Sequence, residues 1–548
     1  MKKSILGVIL TLYIITAFFQ CVAGAEIIDS GNCGSRGSNV SWTLDDEGTL
    51  TISGTGEIAD NYTDWDFSEV KKLVVENGIT RIGNSAFGIC RNLTDVSLPD
   101  SIISIGEWAF SECRTLTSII IPNSVTDIGI GAFEHCHELA NVTISENLNS
   151  LSKGIFSDCR SLTNIQIPEK IESIDETAFY NCKALTDIEV HPNNSNYCSE
   201  NGILFNKNKT KLLIYPICKS HVEYVIPEGV TELGKFAFYN CTALTDITIP
   251  SSMTSLKGLS LNSCTALTNI ITSNDNPQYS SNDGVLFNKS GTVLIKYPSG
   301  KQDEEYIIPE GVTDIDSDAF NGSQILKTVK IPDSMKVIGD NAFCDCRKLS
   351  DINFPNGVET IDYHAFENCN RLTSIIIPNS VTSIGHFAFA DCDSLKSIVL
   401  SDNITNIKAK TFQYCVSLTE ITIPKSVTSI ENNAFYRCDA MTDIYYSGTT
   451  DDWGKISVNT GNNTIENAKL HCIYPKFKIT ENKIIQNISD FSGSATVIIA
   501  HFQDGVLERI TYETIYLEAS QEFSLSDVES GDKVFVWNSI EGMMPLTE

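Results

Sequence analysis

Two histidines that flank a cysteine are the first residues in this sequence with the means to do chemistry. His135, Cys136 and His137 offer imidazole nitrogens and a thiolate, which are ligands that zinc and related ions prefer. His364 and His386, which lie in adjacent copies of a repeat described below, form a second candidate pair. Cys136 belongs to an inward-facing row of that repeat, so the histidines beside it are expected at the surface. We therefore expect no metal site and no cofactor.

Acidic and glycine-rich motifs near the amino terminus raise two further possibilities. Asp60, Asp64 and Asp66 could bind calcium weakly, but they lack the spacing of a known calcium loop. Gly54 to Ala59 matches a relaxed dinucleotide fingerprint, yet acidic residues follow it where a helix is required. The sequence contains no G-x-S-x-G, H-E-x-x-H or Walker motif. These patterns predict a protein that is not an enzyme.

Composition and charge limit the class of protein. The chain has 548 residues, 42% of them hydrophobic, which is enough for a large core. Its net charge of −30 would repel a phosphate backbone, so we expect no nucleic-acid partner. Residues 1–25 have two lysines, an apolar run and small residues before Glu26, the pattern of a secretory signal peptide. We expect export and no transmembrane segment after cleavage; an uncleaved anchor is the alternative.

A 23-residue period runs through most of the chain. Ala-Phe, or a variant of it, recurs thirteen times between Ala86-Phe87 and Ala434-Phe435. Two of the steps, from Ala178 to Ala237 and from Ser260 to Ala319, are longer, so two copies are expected to carry a 36-residue insertion. A unit of this size cannot bury its own apolar face, and stacking the units would give a solenoid with one continuous core.

The consensus unit is C-x-x-L-T-x-I-x-I-P-x-S-V-T-x-I-G-x-x-A-F-x-x, as in Cys369 to Asp391. L-T-x-I-x-I alternates with period two, which predicts a half-buried strand, and the proline ends that strand. V-T-x-I predicts a second short extended segment. G-x-x-A-F-x-x-C predicts a tight turn or one helical turn. The predicted fold class is a mainly β repeat solenoid with short helical turns.

Cysteine lies three residues after the aromatic in twelve of the thirteen copies, with Ser323 as the exception. We expect a buried structural spine of reduced thiols, because parallel Cβ vectors ~4.8 Å apart suit disulfides poorly. A chain of disulfides, which export would permit, is the alternative. Cys33, Cys198, Cys218, Cys344 and Cys472 lie off this row, and Cys198 could pair with Cys218. The spine comprises Cys90, Cys113, Cys136, Cys159, Cys182, Cys241, Cys264, Cys346, Cys369, Cys392, Cys415 and Cys438.

This repeat resembles that of the BspA-like, or Treponema-type, leucine-rich repeat family. The resemblance covers about Leu73 to Tyr446, most of the chain. It implies a right-handed curved solenoid in which the L-T-x-I-x-I strands form a parallel sheet on one face. It also implies a secreted or cell-surface protein that acts in adhesion and binds host extracellular-matrix proteins or bacterial surface proteins.

The two insertions, near residues 191–226 and 273–308, are similar to each other, and Tyr197 to Tyr224 aligns with Tyr279 to Tyr306. In each, two apolar segments flank a polar turn, which predicts a β-hairpin. The hairpin is interpreted as a spacer that adds a coil; a projecting binding feature is the alternative.

The ends of the chain lack the repeat. Residues 26–69 contain alternating strands and predict an amino-terminal β cap, which an open solenoid end requires. Residues 70–447 form the predicted solenoid, and residues 448–475 its carboxy-terminal cap. Residues 476–548 contain several alternating strands and predict a small Ig-like β-sandwich.

The residues eight and ten positions after each aromatic should point away from the core. The first of these rows is rich in carboxylates, and the second contains exposed isoleucine and valine. A long polar sheet of this kind can hold an extended protein ligand, and rows that are simply solvated sheet residues are the equal alternative. Association with glycans through Tyr445, Tyr446 and Trp453 is the alternative. The candidate binding residues are Asp95, Asp187, Asp246, Asp351, Glu420 and Asp443.

Overall fold

The computed structural model describes residues 25–35, 39–61, 68–256 and 258–472, and the backbones of six strands between Phe477 and Trp537. The predicted signal peptide lies, except for Ala25, outside the described residues. The chain divides into two compact units. The first comprises Met1–Lys289 with Pro298–Gly300, and the second Ser290–Tyr297 with Lys301–Glu548.

Three antiparallel strands open the first unit. Ile27–Asn32 pairs with Val40–Asp45, which pairs with Thr49–Gly54. The third strand then pairs in parallel with Lys72–Val75, so the meander continues directly into the repeat. Trp42 and Ile52 are buried on its inner face. Apolar side chains that a terminal coil would expose to solvent are thereby covered.

A coil, taken from one spine position to the next, contains two short strands that we call the first and second strand; in the coil after Cys241 a single bridge between Ser255 and Glu232 replaces the second strand. In the first unit, neighbouring coils pair in parallel with a shift of one repeat period, as Asn141 with Ser118 and Asp127 with Ser104. The first strands are Lys72–Val75, Asp95–Ser97, Ser118–Ile120, Asn141–Thr143, Asn164–Ile167, Asp187–Val190, Glu223–Val225, Asp246–Ile249 and Asn269–Thr272. The second strands are Gly56–Glu57, Ile79–Ile82, Ser104–Ile105, Asp127–Ile128, Ser150–Leu151, Ser173–Ile174, Lys211–Ile214 and Glu232–Leu233.

The second unit repeats this pattern with the same register, as Ser397 pairs with Ser374 and Thr360 with Val337. Its first strands are Glu305–Ile307, Thr328–Lys330, Asp351–Ile352, Ser374–Ile376, Ser397–Val399, Glu420–Ile423, Asp443–Tyr446 and Lys469–Cys472. Its second strands are Val293–Lys296, Asp314–Ile315, Val337–Ile338, Thr360–Ile361, Ser383–Ile384, Asn406–Ile407, Ser429–Ile430 and Ser457–Val458.

The repeated aromatics stack on one another inside each unit. In the first unit, ring centroids from Phe87 through Phe179 lie 5.4 to 5.9 Å apart at each step. In the second, the steps from Phe320 through Phe435 measure 4.7 to 5.8 Å. All of these rings are buried. Offset stacking of buried rings adds about 0.5–1.5 kcal/mol per pair to the burial of their area.

The spine cysteines lie beside the aromatic stack as buried free thiols. Each of them except Cys90 donates from Sγ to the backbone carbonyl of the aromatic 26 residues earlier, as Cys369 does to Phe343 at 3.2 Å. Burial raises the pKa of Cys136 and Cys182 to about 12, so these thiols keep the proton that they donate. The spine cysteines therefore provide hydrogen-bond donors for backbone carbonyl groups between neighbouring coils.

Left-handed residues turn the chain two positions after the aromatic of each Ala-Phe pair and, in most coils, two positions before it as well. Two residues before the aromatic, His364 and Asn341 have φ of 54° and 53°; two residues after it, Asn368 and Asp345 have φ of 60° and 57°. Asparagine, aspartate and glycine tolerate this conformation better than other residues. The short helical turns expected here occur at one place among the described coils, the 3₁₀ helix Gly258–Leu261.

Each of the two insertions adds a coil, as the favoured interpretation predicts, but the aromatic of that coil is a tyrosine. Tyr215 takes the place of phenylalanine one step before Phe238, stacks on it at 5.0 Å and is 2% exposed. Tyr297 does the same before Phe320, at 5.1 Å. Each longer step is therefore one 36-residue coil followed by one ordinary 23-residue coil. The search for Ala-Phe missed these two aromatics because Ile214-Tyr215 and Lys296-Tyr297 replace the pair.

A hairpin accounts for the extra length of each long coil. In the first, Tyr197–Glu200 pairs antiparallel with Ile203–Asn206, which pairs antiparallel with the second strand Lys211–Ile214. In the second, Tyr279–Asn282 pairs with Val285–Asn288. Leu204 and Leu286 are fully buried, so these hairpins are part of the core and do not project as free binding arms.

The off-row cysteines also differ from expectation. Cys218 lies one repeat period before Cys241 and so is in register with the spine, although it is exposed. Cys198 and Cys218 are both free, so the suggested pairing between them is wrong in this structure. Cys198 instead donates to the carbonyl of Asn206 across its hairpin, at 3.3 Å.

Two short helices and a final first strand close the repeats of the second unit. The helices are Thr450–Trp453 and Asn463–Asn467, and Lys469–Cys472 pairs in parallel with Asp443–Tyr446. Beyond them, one antiparallel sheet contains Phe477–Ile479, Ile484–Asn487 and Glu522–Ser524; another contains Gly493–Gln503, Val506–Leu517 and Lys533–Trp537. These two sheets supply the strands of the predicted sandwich. None of the helices in the described residues is long enough to cross a bilayer.

Ser323 provides a test of the thiol row. It occupies a spine position, is 1% exposed, and its Oγ has no hydrogen-bond partner among the residues that the structure describes. Because an unsatisfied buried hydroxyl is destabilising, we expect Ser323→Cys to raise the free energy of unfolding by about 1 kcal/mol. Urea denaturation followed by circular dichroism measures the change, and Cys346→Ser is the matched reverse substitution. A less stable Ser323→Cys variant, or a neutral Cys346→Ser, would contradict this role for the thiols.

Candidate binding face and turn cluster

The first strands of each unit present one face to solvent because their residues alternate between the core and the outside. Ile119 is 2% exposed, whereas Ser118 and Ile120 on either side of it are exposed. Ser374–Ile376 has the same pattern in the second unit. We call the outward first and third residues of the first strands the strand face. It coincides with the two rows that the sequence indicated.

All six predicted acids occupy the first position of a first strand. Asp95, Asp187 and Asp246 lie in the first unit. Asp351, Glu420 and Asp443 lie in the second. Glu223 and Glu305 occupy the same position in their coils, and the sequence prediction omitted both. Counting eight positions onward from Tyr215 and Tyr297 would have found them.

Asp187 differs from the other acids because it is tied to the core of its own coil. Lys219 Nζ lies 3.1 Å from Asp187 Oδ1, and the lysine side chain is only 9% exposed. Burial raises the pKa of Asp187, but hydrogen bonds from Thr186 and Lys219 outweigh this, and the pKa is lowered overall. Asp187 thus neutralises a largely buried ammonium group, which is a structural task.

Asp443 also has a partner on the strand face. His471 Nε2 lies 2.7 Å from Asp443 Oδ1, and the His471 ring stacks on Tyr445 at 4.9 Å. Hydrogen bonds from Thr442 and from His471 lower the pKa of Asp443. Asp246 accepts from Thr245 and from Asn269.

Three of the acids remain available to an outside charge. Asp95, Asp351 and Glu420 take part in no ion pair within the described residues, and all three residues are exposed. A carboxylate that is exposed and lacks a cationic partner exerts its field on whatever approaches the face.

Exposed aliphatic side chains occupy the third position of other first strands, not of the strands that begin at Asp95, Asp351 and Glu420. In the first unit Ile120, Val225 and Ile271 are 70%, 67% and 47% exposed. In the second, Ile307 and Ile376 are 62% and 36% exposed. The strand face is therefore acidic in its first row and partly apolar in its second, as the sequence predicted.

The aromatics proposed for sugar binding are mostly used inside the protein. Tyr446 is 1% exposed and packs edge-on against Trp453, with centroids 5.2 Å apart. Tyr445 is half-buried against His471. Tyr446 is therefore unavailable to a sugar ring, which corrects the expectation that it is exposed.

The two histidines beside Cys136 meet a third polar residue at the turn of the next coil. Asp158 follows His135 by one repeat period and therefore occupies the same place one coil along. One nitrogen from each of His135 and His137 and one oxygen of Asp158 all lie within 4.8 Å of one another. Asp158 was not among the predicted ligands, although its spacing of one repeat period from His135 identifies it. We call these three residues the turn cluster.

Burial within the turn cluster was also underestimated. His137 Nε2 is buried and has no hydrogen-bond partner, so this side chain does not simply lie at the surface. Burial, followed by the nearby charges of Arg160 and Arg114, lowers the pKa of His137. Its imidazole is consequently neutral at neutral pH, the form that binds metal ions.

The other candidates for metal binding form no comparable cluster in the described residues. His364 Nδ1 lies 2.8 Å from Glu367, and the His386 ring packs against Tyr363. Asp60 is held by the backbone N–H of Asn84 and by Arg81. Asp64 and Asp66 lie outside the described residues.

One family model matches most of the chain. The model of the BspA type leucine rich repeat region matches residues 60–201, 214–302, 299–384 and 360–495, in six copies. The chain belongs to this family. The membership accounts for the parallel first strands and for the 23-residue step of the BspA-type coils. A search of the curated proteins finds no match.

Solved structures of several bacterial leucine-rich repeat proteins are similar to this BspA-type chain. A leucine-rich repeat protein from Eubacterium ventriosum is 20% identical, with 83% of this chain and 99% of that one covered and a TM-score of 0.36. A leucine rich cell surface protein from Faecalibacterium prausnitzii is 28% identical, with 77% and 96% covered and a TM-score of 0.36. The pneumococcal vaccine antigen is 18% identical, with 82% and 98% covered and a TM-score of 0.35.

Substitutions of Asp187 and Asp95 distinguish an acid that stabilises the fold of this BspA-type protein from one whose charge can act on a partner. Asp187→Asn removes the charge that pairs with Lys219, so we expect it to lower the free energy of unfolding at neutral pH. The decrease should be about 1 kcal/mol, because solvent screens a partly exposed ion pair. Asp95 occupies the same strand position but forms no ion pair within the described residues. Asp95→Asn should therefore change the free energy of unfolding by less than about 0.5 kcal/mol.

The pH dependence gives the sign of the Asp187 effect. Because its pKa is lowered on folding, its contribution is present above the unfolded pKa and disappears as pH falls through the folded value. The difference between wild type and Asp187→Asn should therefore shrink on acidification, as measured by urea denaturation at several pH values. Equal effects of the two substitutions, or a constant difference at all pH values, would contradict the assignment.

Proposed function

We propose that this protein is exported and binds a protein partner on its strand face without catalysing a reaction. The observation that carries the proposal is that the strand face of each unit combines carboxylates in no ion pair within the described residues with exposed isoleucine or valine on other first strands. The partner is proposed to be a host extracellular-matrix protein or a bacterial surface protein, as the family resemblance implies. The predicted signal peptide supports export and a secreted or cell-surface location.

The apolar residues of the strand face supply the attraction. Ile120, Val225 and Ile307 are all exposed by 62% or more. Burying an aliphatic side chain of this size contributes about 1.5–3 kcal/mol when the burial is complete. An extended segment laid across neighbouring coils would cover several such side chains at once, which fits the geometry of a repeat array.

The carboxylates of the strand face favour a basic partner. Asp95, Asp351 and Glu420 form no ion pair within the described residues, and the chain carries a net charge of −30. Attraction between this face and a basic patch should speed the encounter more than it tightens the final complex. Charges more than ~8 Å apart are largely screened at physiological ionic strength, so the effect should be greatest below it.

Glycan binding has weaker support than protein binding. Tyr446 is buried, and Tyr445 is stacked on His471, so the cluster with Trp453 offers little open aromatic surface. A glycan array and a panel of purified matrix and bacterial surface proteins would separate the two candidates. Specific binding to glycans alone would overturn the proposal.

The decisive variant removes charge from the strand face while preserving its shape. Asp95→Asn, Asp246→Asn, Asp351→Asn and Glu420→Gln are combined, and Asp187 is left intact because it pairs with Lys219. We expect the association rate with the protein identified by the panel to fall several-fold at low salt, with little change in the dissociation rate. Surface plasmon resonance across a salt series measures both rates.

A matched control carries the same change in charge elsewhere. The control changes four exposed acids that lie outside the first strands. Its substitutions are Asp100→Asn, Asp127→Asn, Glu172→Gln and Asp333→Asn. This control should associate nearly as fast as wild type. If the two quadruple variants slow association equally, the association rate depends on the net charge of the protein and not on the position of the acids on the strand face. If the strand-face variant associates at the wild-type rate in low salt, the partner does not dock on this face.

A further inference from the structure

The turn cluster stands apart from the strand face and is not used by the proposed binding function. His135 and His137 lie two and four positions after Phe133, and Asp158 lies two positions after Phe156 on the neighbouring coil. Their backbones are held in register, because the N–H of His135 donates to the carbonyl of Ser157 at 2.8 Å. The coil-to-coil pairing therefore positions all three side chains without help from a flexible loop.

Asp158 is oriented by neighbours that use only one of its two oxygens. Oδ1 accepts hydrogen bonds from Arg160 Nη2 at 3.2 Å and from Asn181 Nδ2 at 2.6 Å. Oδ2 lies 3.8 Å from His135 Nδ1. Asp158 is 8% exposed, so it cannot readily swing away into solvent. The outer hydrogen bonds hold the carboxylate with its second oxygen directed towards the histidines.

An unpartnered nitrogen is the second, independent observation. His137 Nε2 is buried and makes no hydrogen bond. Buried polar atoms in folded proteins nearly always have a partner, and an exception is commonly explained by a bound water or ion. Of the unpartnered buried side-chain atoms in the described residues, the others are serine hydroxyls, so His137 contributes the one nitrogen.

We propose that His135, His137 and Asp158 bind a divalent transition-metal ion, of which Zn²⁺ is the representative. Two imidazoles and a carboxylate are a common three-ligand set for zinc, and they leave a coordination position for water or a group from a partner. Zinc holds such ligands at about 2.0–2.2 Å, so donor atoms stand roughly 3.3 Å apart around a tetrahedral ion. The three donor atoms lie within 4.8 Å of one another, so binding an ion requires the side chains to move closer together, and His135, whose side chain is 39% exposed, has room to move.

Two arginines near the turn cluster would repel a bound cation, but each of them is paired with a carboxylate. Arg160 pairs with Asp158, and Arg114 lies close enough to lower the pKa of His137. Arg114 is itself paired with Glu112 at 2.7 Å, and Glu134 Oε1 lies 4.0 Å from His135 Nε2. Each arginine thus has a carboxylate partner, so a second positive charge at the cluster does not face uncompensated guanidinium groups.

The proposal is tested with Zn²⁺ and Co²⁺ alone, on the chain from residue 26 onward, without a polyhistidine tag and after dialysis against a chelator. Isothermal titration calorimetry should detect one Zn²⁺ site, and Co²⁺ should give the visible absorption of a low-coordinate nitrogen and oxygen site. Absorption from thiolate-to-metal charge transfer should be absent, because the neighbouring Cys136 thiol is buried and points into the core.

Single substitutions then assign the ligands. His135→Gln changes a partly exposed side chain and should preserve the fold, yet it should weaken Zn²⁺ binding by roughly tenfold or more, since even changes outside the ligands cost 10–100-fold. His137→Gln should do the same. His364→Gln, which alters a histidine paired with Glu367, is the matched control and should bind Zn²⁺ as wild type does.

Any one of several results would overturn the proposal. They are the absence of Zn²⁺ binding in the wild-type chain, unchanged binding in His135→Gln and His137→Gln, and a Co²⁺ spectrum dominated by thiolate ligands. Loss of binding in His364→Gln as well as in His135→Gln would also reject the site, because the metal would then be bound by histidines in general. None of these outcomes depends on whether the strand face binds a protein.

Discussion

The contact between one coil and the next is the interaction on which the rest of this structure depends. No coil buries its own leucine, isoleucine and phenylalanine side chains, so each is stable only when the neighbouring coil covers them. Three contacts recur at the 23-residue step: parallel strand pairing, stacked phenyl rings and a thiol donated to a carbonyl group. Threonine adds a fourth, since Thr419 Oγ1 donates to the carbonyl of Lys396 on the preceding coil. The strand face and the turn cluster both exist because this step brings equivalent residues of adjacent coils side by side.

Repetition explains how much of the fold could be predicted from the sequence. Every position of the unit is sampled many times, so the alternation of L-T-x-I-x-I and the position of the aromatic survive substitutions in single copies. The long coils were harder because Tyr215 and Tyr297 replace phenylalanine and lack the preceding alanine. Tyrosine is tolerated there because its hydroxyl finds a partner, His221 Nδ1 for Tyr215 and Asp303 for Tyr297. The left-handed turns were not foreseen because residues as different as His364 and Arg437 adopt them under the constraint of neighbouring coils.

Only those features of the candidate sites that follow from the repeat period and strand alternation could be predicted from the sequence. The outward position of Asp95 and Glu420 follows from strand alternation alone. The partner of Asp187 does not, because Lys219 lies 32 residues away at the far end of the long coil, outside any local pattern. Asp158 could have been joined to His135 by its spacing of one repeat period, but its orientation depends on Arg160 and Asn181. Burial of Tyr446 under Trp453 depends on how the terminal cap packs, which no repeat describes.

Counting thiols tests the central claim most directly, because the claim requires the spine cysteines to be reduced hydrogen-bond donors. The chain from residue 26 onward is prepared without reductant, and its thiols are titrated with a chromogenic disulfide before and after denaturation. In the native state the exposed Cys218 and the partly exposed Cys198 and Cys472 should react, while the buried spine stays protected. Denaturation should then release at least the twelve spine thiols. Three thiols or fewer after denaturation would show that the spine is bridged by disulfides and would contradict this account of how the coils are held together.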